Sequence, residues 1–424
     1  MKKIISSVVA VVMAVLVFCS TSVMAFADTM EHNASVITHS DVSFENKIPT
    51  YASASGVGGI SVGTSNNRLF TLKANDEKFQ VSVLYYYSNL YSSAAPKKIV
   101  FKDNLLGHAN GMSLDDNYLY ITGWQISKDS NVKTRIMRVS RSAIAAMSDK
   151  EEVKLSDSSS TTNINVNMTI KGKKYNVLKE IKPLKQDGSL YKGSITAITR
   201  LNYNKTNAND PIVKFIIDYD LSKSSLSLPY NNSEGLMYTV ATLRNGQITV
   251  SEDENDMFFV RTNDVLYREN GTGFLQTLSY NTRQDIFYEP GYGLYIPVWN
   301  TQVRAKSIVL RVDMTPFNSS HSGVMELTPS TVTVFDFSAY CTKFEIESIA
   351  FVKKESDKTT ACKKFIFGAN IEGTNNGSNL GDRYFILKNT KNLLSNFWCW
   401  LFYISMILSR WEVHKSMGGQ YLPI

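Results

Sequence analysis

Two distant stretches of this chain carry the same pattern, and that repetition constrains the fold more than any other feature. One is GHANGMSLDDNYLYITGW (107–124) and the other is NTRQDIFYEPGYGLYIPVW (281–299). Each has a polar lead, a short apolar run, an acidic or Gly turn, then Leu-Tyr-Ile-x-x-Trp. In the first copy that is Leu119-Tyr120-Ile121 through Trp124; in the second, Leu294-Tyr295-Ile296 through Trp299. A further β run follows both, TRIMRVS (134–140) and SIVLRVD (307–313). Looser copies fill the rest, as in GGISVGTSNNRLFTLK (58–73) and IESIAFVKK (346–354). Short apolar runs punctuated by Asn, Asp, Ser and Gly are the pattern of strands joined by turns. Six units result, with strand starts near 59, 110, 196, 239, 285 and 347. The wide gap at 150–190 holds either an insertion or a seventh unit around IKGKKYNVLKEI (170–181). Only Arg141 to Val153 patterns as a short helix, with Ser140 as its N-cap.

Antiparallel strands repeated roughly every 40–50 residues point to an all-β ring, a β-propeller of four-stranded sheets. A single sheet cannot bury both of its faces, whereas a closed ring of sheets can. The expectation is six blades, with five to seven compatible; a pair of β-sandwiches is the competing architecture. In its GHANGMSLDDNYLYITGW stretch above all, the chain resembles secreted bacterial β-propellers. The resemblance covers 56–390. It names no subfamily, because a W-D dipeptide, a Gly-Gly pair in each unit and tandem Asp-boxes are all missing from the sequence.

The ends of the chain read differently. Lys2 and Lys3, the apolar run Ile4 to Phe18 and Ala25-Phe26-Ala27 form a secretory signal over 1–27. Phe18 before Cys19 argues against a lipoprotein. Residues 28–55 are polar and without sustained period, and are expected to be a flexible lead-in. The last segment, 391–424, holds three of the five Trp and an interrupted apolar run from Leu393 to Leu408. It is short for a membrane span. Its abrupt change of composition makes it foreign to the propeller, and only a genuine anchor there would bring the chain to a membrane. The expected location is therefore outside the cell, secreted or on the surface.

Charge excludes one class of partner. Residues 28–390 carry 40 basic against 37 acidic side chains, with no basic run beyond Lys pairs. That is no nucleic-acid footprint. Cys341 and Cys362 flank a predicted strand, and a disulfide or two separate thiols both remain open.

The resemblance implies that function sits in the central channel or on the face where the innermost strands begin. Aligning the units places Gly59, Gly111, Ala197, Thr239, Asp285 and Ser348 just before those strands, mostly small as convergence on an axis requires. Asn110, Gln284 and Glu347 fall in the preceding ring, and His108, Arg283 and Glu345 lie farther out. Trp124 and Trp299 end the second strands on the same face. Polar groups converging with aromatic ones are how a site for a glycan, a peptide or a small metabolite is made. Asn110, Trp124, Gln284, Trp299 and Glu345 are the binding candidates for a monomer that takes such a ligand. The alternative is a hydrolase or lyase, with His108 as acid or base, Asp285 or Glu347 as second carboxylate and Arg283 as charge stabiliser. A third reading is a structural spacer at the cell surface. Gly59-Ile60-Ser61-Val62-Gly63 matches a nucleophile elbow but leads into a hairpin rather than a helix. No His-rich metal site is available. An oxygen-ligand Ca²⁺ site stays open, although Glu252–Asp256 lacks the glycine and spacing of a calcium loop.

Overall fold

The computed structural model describes residues 31–50, 60–65, 67–75, 81–102, 105–124, 134–148, 152–155, 164–204, 212–223, 226–231, 233–262, 265–272, 274–278, 282–283, 285–299, 303–352, 364–375 and 378–388. Residues 1–27, expected to be a signal, Cys362 and the hydrophobic tail lie outside them.

Five sheets of four or more strands make up the described residues. The first runs outward from Ile60–Ser65 through Arg68–Asn75, Val81–Tyr87 and Lys97–Phe101 to Glu152–Leu155. The second runs from His108–Leu114 through Tyr118–Trp124, Thr134–Ser140 and Lys173–Ile181 to Asn165–Ile170. The third runs from Ile198–Asn204 through Ile212–Asp218, Gly235–Arg244 and Gln247–Val250 to Pro183–Leu184. In the fourth, Phe287–Glu289 pairs with Gly293–Trp299, followed by Lys306–Val312 and Pro329–Asp336. The fifth runs from Lys343–Val352 through Lys364–Glu372 and Arg383–Leu387 to Val42–Lys47.

The innermost strands touch in a cycle: first to second, second to third, third to fourth, fourth to fifth, and fifth back to first. This is the ring of a β-propeller. Apolar layers fill each gap between neighbouring sheets. Side chains alternate between the two faces of a strand, so each sheet feeds two layers. Phe70 and Leu72, for example, face the second sheet, while Leu69 faces the fifth.

The expected sixth unit near 239 belongs to the third sheet. Gly235–Arg244 is ten residues long and pairs with Ile212–Asp218 along one edge. On its other edge it is shared by two strands, Gln247–Val250 and Met257–Arg261. A second hairpin is thus folded into one sheet rather than starting a new one. Lys173–Ile181 and Asn165–Ile170 are the outer hairpin of the second sheet, so the stretch at 150–190 adds no separate unit.

The polar segment expected over 28–55 as a flexible lead-in forms strands where it is described. Glu31–Thr38 lies parallel between Pro329–Asp336 and Leu266–Glu269 in the fourth sheet. Val42–Lys47 forms the antiparallel outer edge of the fifth. Val42–Lys47 is an edge strand, which meets solvent on one side and needs little apolar content. Glu31–Thr38 is interior to its sheet but buries only Ala34 and Ile37, so its composition is polar as well. The two repeated Leu-Tyr-Ile-x-x-Trp stretches do occupy matching places, as second strands of the second and fourth sheets. The helix begins as expected, with Ser140 Oγ accepting from the Ala143 N–H at 3.2 Å, but ends at Ala146.

Cys341 is a buried free thiol, and burial pushes it up to about 12. No helix among the described residues is long and apolar enough to cross a membrane. The turn into Gly293–Trp299 depends on Gly293. Its φ is 108°, and a Cβ there would lie 2.3 Å from the Val312 carbonyl oxygen. Gly293→Ala is therefore expected to cost about 1–3 kcal/mol. Urea unfolding measures this, and a midpoint equal to that of the parent chain would refute it.

Candidate functional site

A cavity of about 430 Å³ lies on the ring axis, lined by residues of all five innermost strands. Most of the lining comes from the far halves of these strands and the turns that follow, such as Thr64–Ser65, Asp115–Asp116, Glu289–Pro290 and Ala350–Phe351. Among the described residues, none of the strand starts singled out in the sequence lines it.

Its chemistry is mixed. Asp115 is buried and fully engaged: Oδ1 accepts from the Asn117 and Tyr118 N–H groups at 2.7 Å each, and Oδ2 accepts from the Tyr120 hydroxyl at 2.6 Å. Burial and the Asp115 charge raise the Tyr120 phenol well above its ordinary value, which keeps it a donor. Arg141, the first residue of the helix, reaches into the cavity. One of its Nη groups donates to the Asp115 carbonyl and the other to Ser65 Oγ at 2.6 Å. Burial lowers the Arg141 guanidinium from its ordinary value, and the charges of Asp115 and Asp116 oppose that effect. Glu289 is buried, whereas Arg200 is half-buried and Asp116 exposed. The aromatic part is Phe287, Tyr288 and Phe351, with Phe287 edge-on to Phe351 at 5.1 Å. Tyr288 is fixed from behind, its N–H donating to Thr199 Oγ1 at 2.9 Å.

The predicted residues sit elsewhere. Asp285 is 1% exposed. Its Oδ1 accepts from the Ile286 N–H at 2.9 Å and its Oδ2 from the Met112 N–H at 3.3 Å. Its own N–H donates to the Glu347 carbonyl at 3.1 Å. Asp285 therefore ties three innermost strands together. Desolvation holds its carboxyl well above the ordinary range against the pull of these N–H donors. Glu347 is equally enclosed and raised by burial, then by the nearby Glu345 charge. Trp299 and Glu345 do come together, through Lys343. That ammonium lies 2.9 Å from Glu345 and 4.9 Å from the centre of the Trp299 ring. The His108, Asn110, Trp124 and Arg283 side chains and all of Gln284 fall outside the described residues. Thr239 is part of the third strand of its sheet, away from the axis.

Sequence reasoning treated Asp115–Asp116 only as a turn. The signal that would have marked it is position: these residues directly follow an innermost strand and so face the channel. Among the described residues, no three His, Cys, Asp or Glu side chains form a metal-ligand set.

No family model and no curated protein matches the chain. Loose structural likenesses exist. "Bacteroides ovatus Xyloglucan PUL GH43B" shares 11% identity at a TM-score of 0.38, over 81% of this chain and 54% of its own. The chain thus spans about half of that protein's length. A GH43_1 enzyme from Xanthomonas citri shares 9% identity at a TM-score of 0.39, over 82% and 90% of the two chains. A subtype N10 neuraminidase-like protein of A/little yellow-shouldered bat/Guatemala/060/2010 shares 8% at 0.29, over 79% and 81%. Likenesses this loose say nothing about the chemistry of the cavity, which stands on its own residues.

Proposed function

We propose that this chain is an exported, monomeric propeller that binds a small polar ligand in its axial cavity. One observation carries this reading: all five innermost strands contribute to one cavity whose lining combines carboxylates, guanidinium groups and aromatic rings. Its volume of about 430 Å³ lies within the span of small-molecule sites, roughly 300–1,000 Å³. Lining of this kind disfavours a purely apolar ligand. It suits a molecule with hydroxyl or amide groups for Glu289, Arg141 and Arg200 and a flat face for Phe287 or Phe351. Glycans, short peptides and polar metabolites have that chemistry. Binding without turnover is favoured over hydrolysis by Asp285 and Glu347, because both carboxyls are enclosed and neither lines the cavity.

Titration calorimetry against oligosaccharides, dipeptides and polar metabolites tests this. Ligands that bind are expected to lose about tenfold or more in affinity in Glu289→Gln and in Arg200→Ala, the worth of one hydrogen bond to a charged group. Affinity unchanged in both variants would place the ligand elsewhere.

A further inference from the structure

The seam where the first and fifth sheets meet is apolar along much of its height, with Val62, Leu69, Val83, Ala350, Ile366 and Ile386 packed together. Toward the starts of the innermost strands it turns polar. A β-bulge between Ile346 and Ser348 leaves Glu347 outside the pairing register. The two residues of a bulge oppose one partner, so Glu347 and Ser348 share a face. Their partner is Gly368, which has no side chain to fill the space. Glu345 and Asn370 pair directly and lie on that same face, two residues along each strand. Lys73 enters from the first sheet and meets Asp382 at 2.5 Å. All six polar residues are 7% exposed or less.

Among the described residues, three atoms in this pocket of polarity have no hydrogen-bond partner: Glu347 Oε2, Ser348 Oγ and Asn370 Nδ2. Native proteins seldom leave buried polar groups so, and a set of three on one face calls for an occupant. Charge indicates which kind. With every group ionised, Glu345, Glu347 and Asp382 stand against Lys73 and Lys343, one negative charge in excess, since Glu372 near Lys343 is matched by Arg304. Without a counter-charge, burial favours the protonated form of Glu347. No bond fixes the Asn370 amide through Nδ2, so a half-turn presents Oδ1 in its place. That places three oxygen donors on one face of the strand pair: a carboxylate, a hydroxyl and an amide carbonyl. Hard oxygen donors of this kind suit cations. One positive charge neutralises the seam, whereas two would leave it positive.

We propose that the closure seam binds one monovalent cation, an alkali-metal ion or the ammonium of a small amine, between Glu347, Ser348 and Asn370. The inference is independent of the ligand in the axial cavity, since none of these three residues lines it.

The test is thermal unfolding of the purified chain at fixed ionic strength in sodium, potassium, ammonium or methylammonium chloride, with choline chloride as the bulky reference. At least one small cation is expected to raise the midpoint by about 2–4 °C with a saturable dose response. A response to sodium or potassium identifies a metal ion, and one confined to ammonium and methylammonium identifies an amine. Glu347→Gln keeps the volume and removes the charge. It is expected to melt no lower than the parent in choline chloride and to lose the cation response. Asn370→Asp adds a charge and is expected to transfer the response to Ca²⁺. Equal midpoints for the parent chain in all five salts would overturn the proposal. So would a response that survives Glu347→Gln, or a larger response of the parent to Ca²⁺ than to any monovalent ion.

Discussion

Lys73→Met is expected to destabilise the fold by about 3–5 kcal/mol, the cost of leaving one member of a buried ion pair alone. Lys73 and Asp382 are 2.5 Å apart, with side chains 5% and 8% exposed. They join the second strand of the first sheet to the residue before Arg383–Leu387 in the fifth, so the pair spans the closure seam. Removing the ammonium strands a carboxylate beside Glu347, which is itself raised in part by the Asp382 charge. Urea unfolding of Lys73→Met, Asp382→Leu and the double variant separates two explanations. If the charge is at fault, the double variant recovers most of the loss, because two apolar groups replace the pair without leaving a partner behind. A double variant as unstable as the sum of the single ones would mean that packing volume, not charge, is what Lys73 supplies.

Asp285→Ala is expected to cost about 2–4 kcal/mol. The substitution leaves the buried N–H groups of Met112 and Ile286 without their acceptor, at roughly 1–3 kcal/mol each. It also opens the junction of the second, fourth and fifth sheets. The parent chain should show a matching pH dependence. Asp285 and Glu347 both have carboxyls raised above their ordinary values of 3.8 and 4.5. Over the range above those values the native state holds more protons than the unfolded chain, so stability falls as pH rises. Each group's contribution is fully present below its ordinary value and is lost as pH climbs through its raised one. Denaturant midpoints from pH 4 upward should therefore decline less steeply in Asp285→Ala than in the parent. An identical slope in both would show that Asp285 does not titrate in this manner.

Local sequence carried the strands and little of how they assemble. The Leu-Tyr-Ile-x-x-Trp repeat was legible because equivalent second strands meet equivalent neighbours, and both copies occupy that place. The Ser140 cap was legible because a cap is a contact between residues three apart. The third sheet was misjudged for a physical reason. Gly235–Arg244 exchanges one partner for another along its length, and local alternation does not record which strand a strand faces. Glu31–Thr38 and Val42–Lys47 were missed for the same reason, since their partners lie some 300 residues downstream in the chain. The cavity was harder still. Arg141 and Asp115 are far apart in sequence and meet only because the helix packs over the turn that follows an innermost strand.

The placement of Val42–Lys47 against Arg383–Leu387 sets the order in which the molecule can be assembled. Val42–Lys47, early in the chain, pairs with the last of the long strands among the described residues. Until Leu387 has been made, the fifth sheet is incomplete, and both Val42–Lys47 and Lys364–Glu372 lack the partner that lies between them. Loop-closure entropy rises only slowly with length, so the final contact is affordable, but it is intrinsically late. Termination shortly before 383 would leave a nearly complete chain whose fifth sheet lacks the strand that Val42–Lys47 pairs with. Such a product would expose Val42–Lys47 as a bare edge, open to strands of other chains.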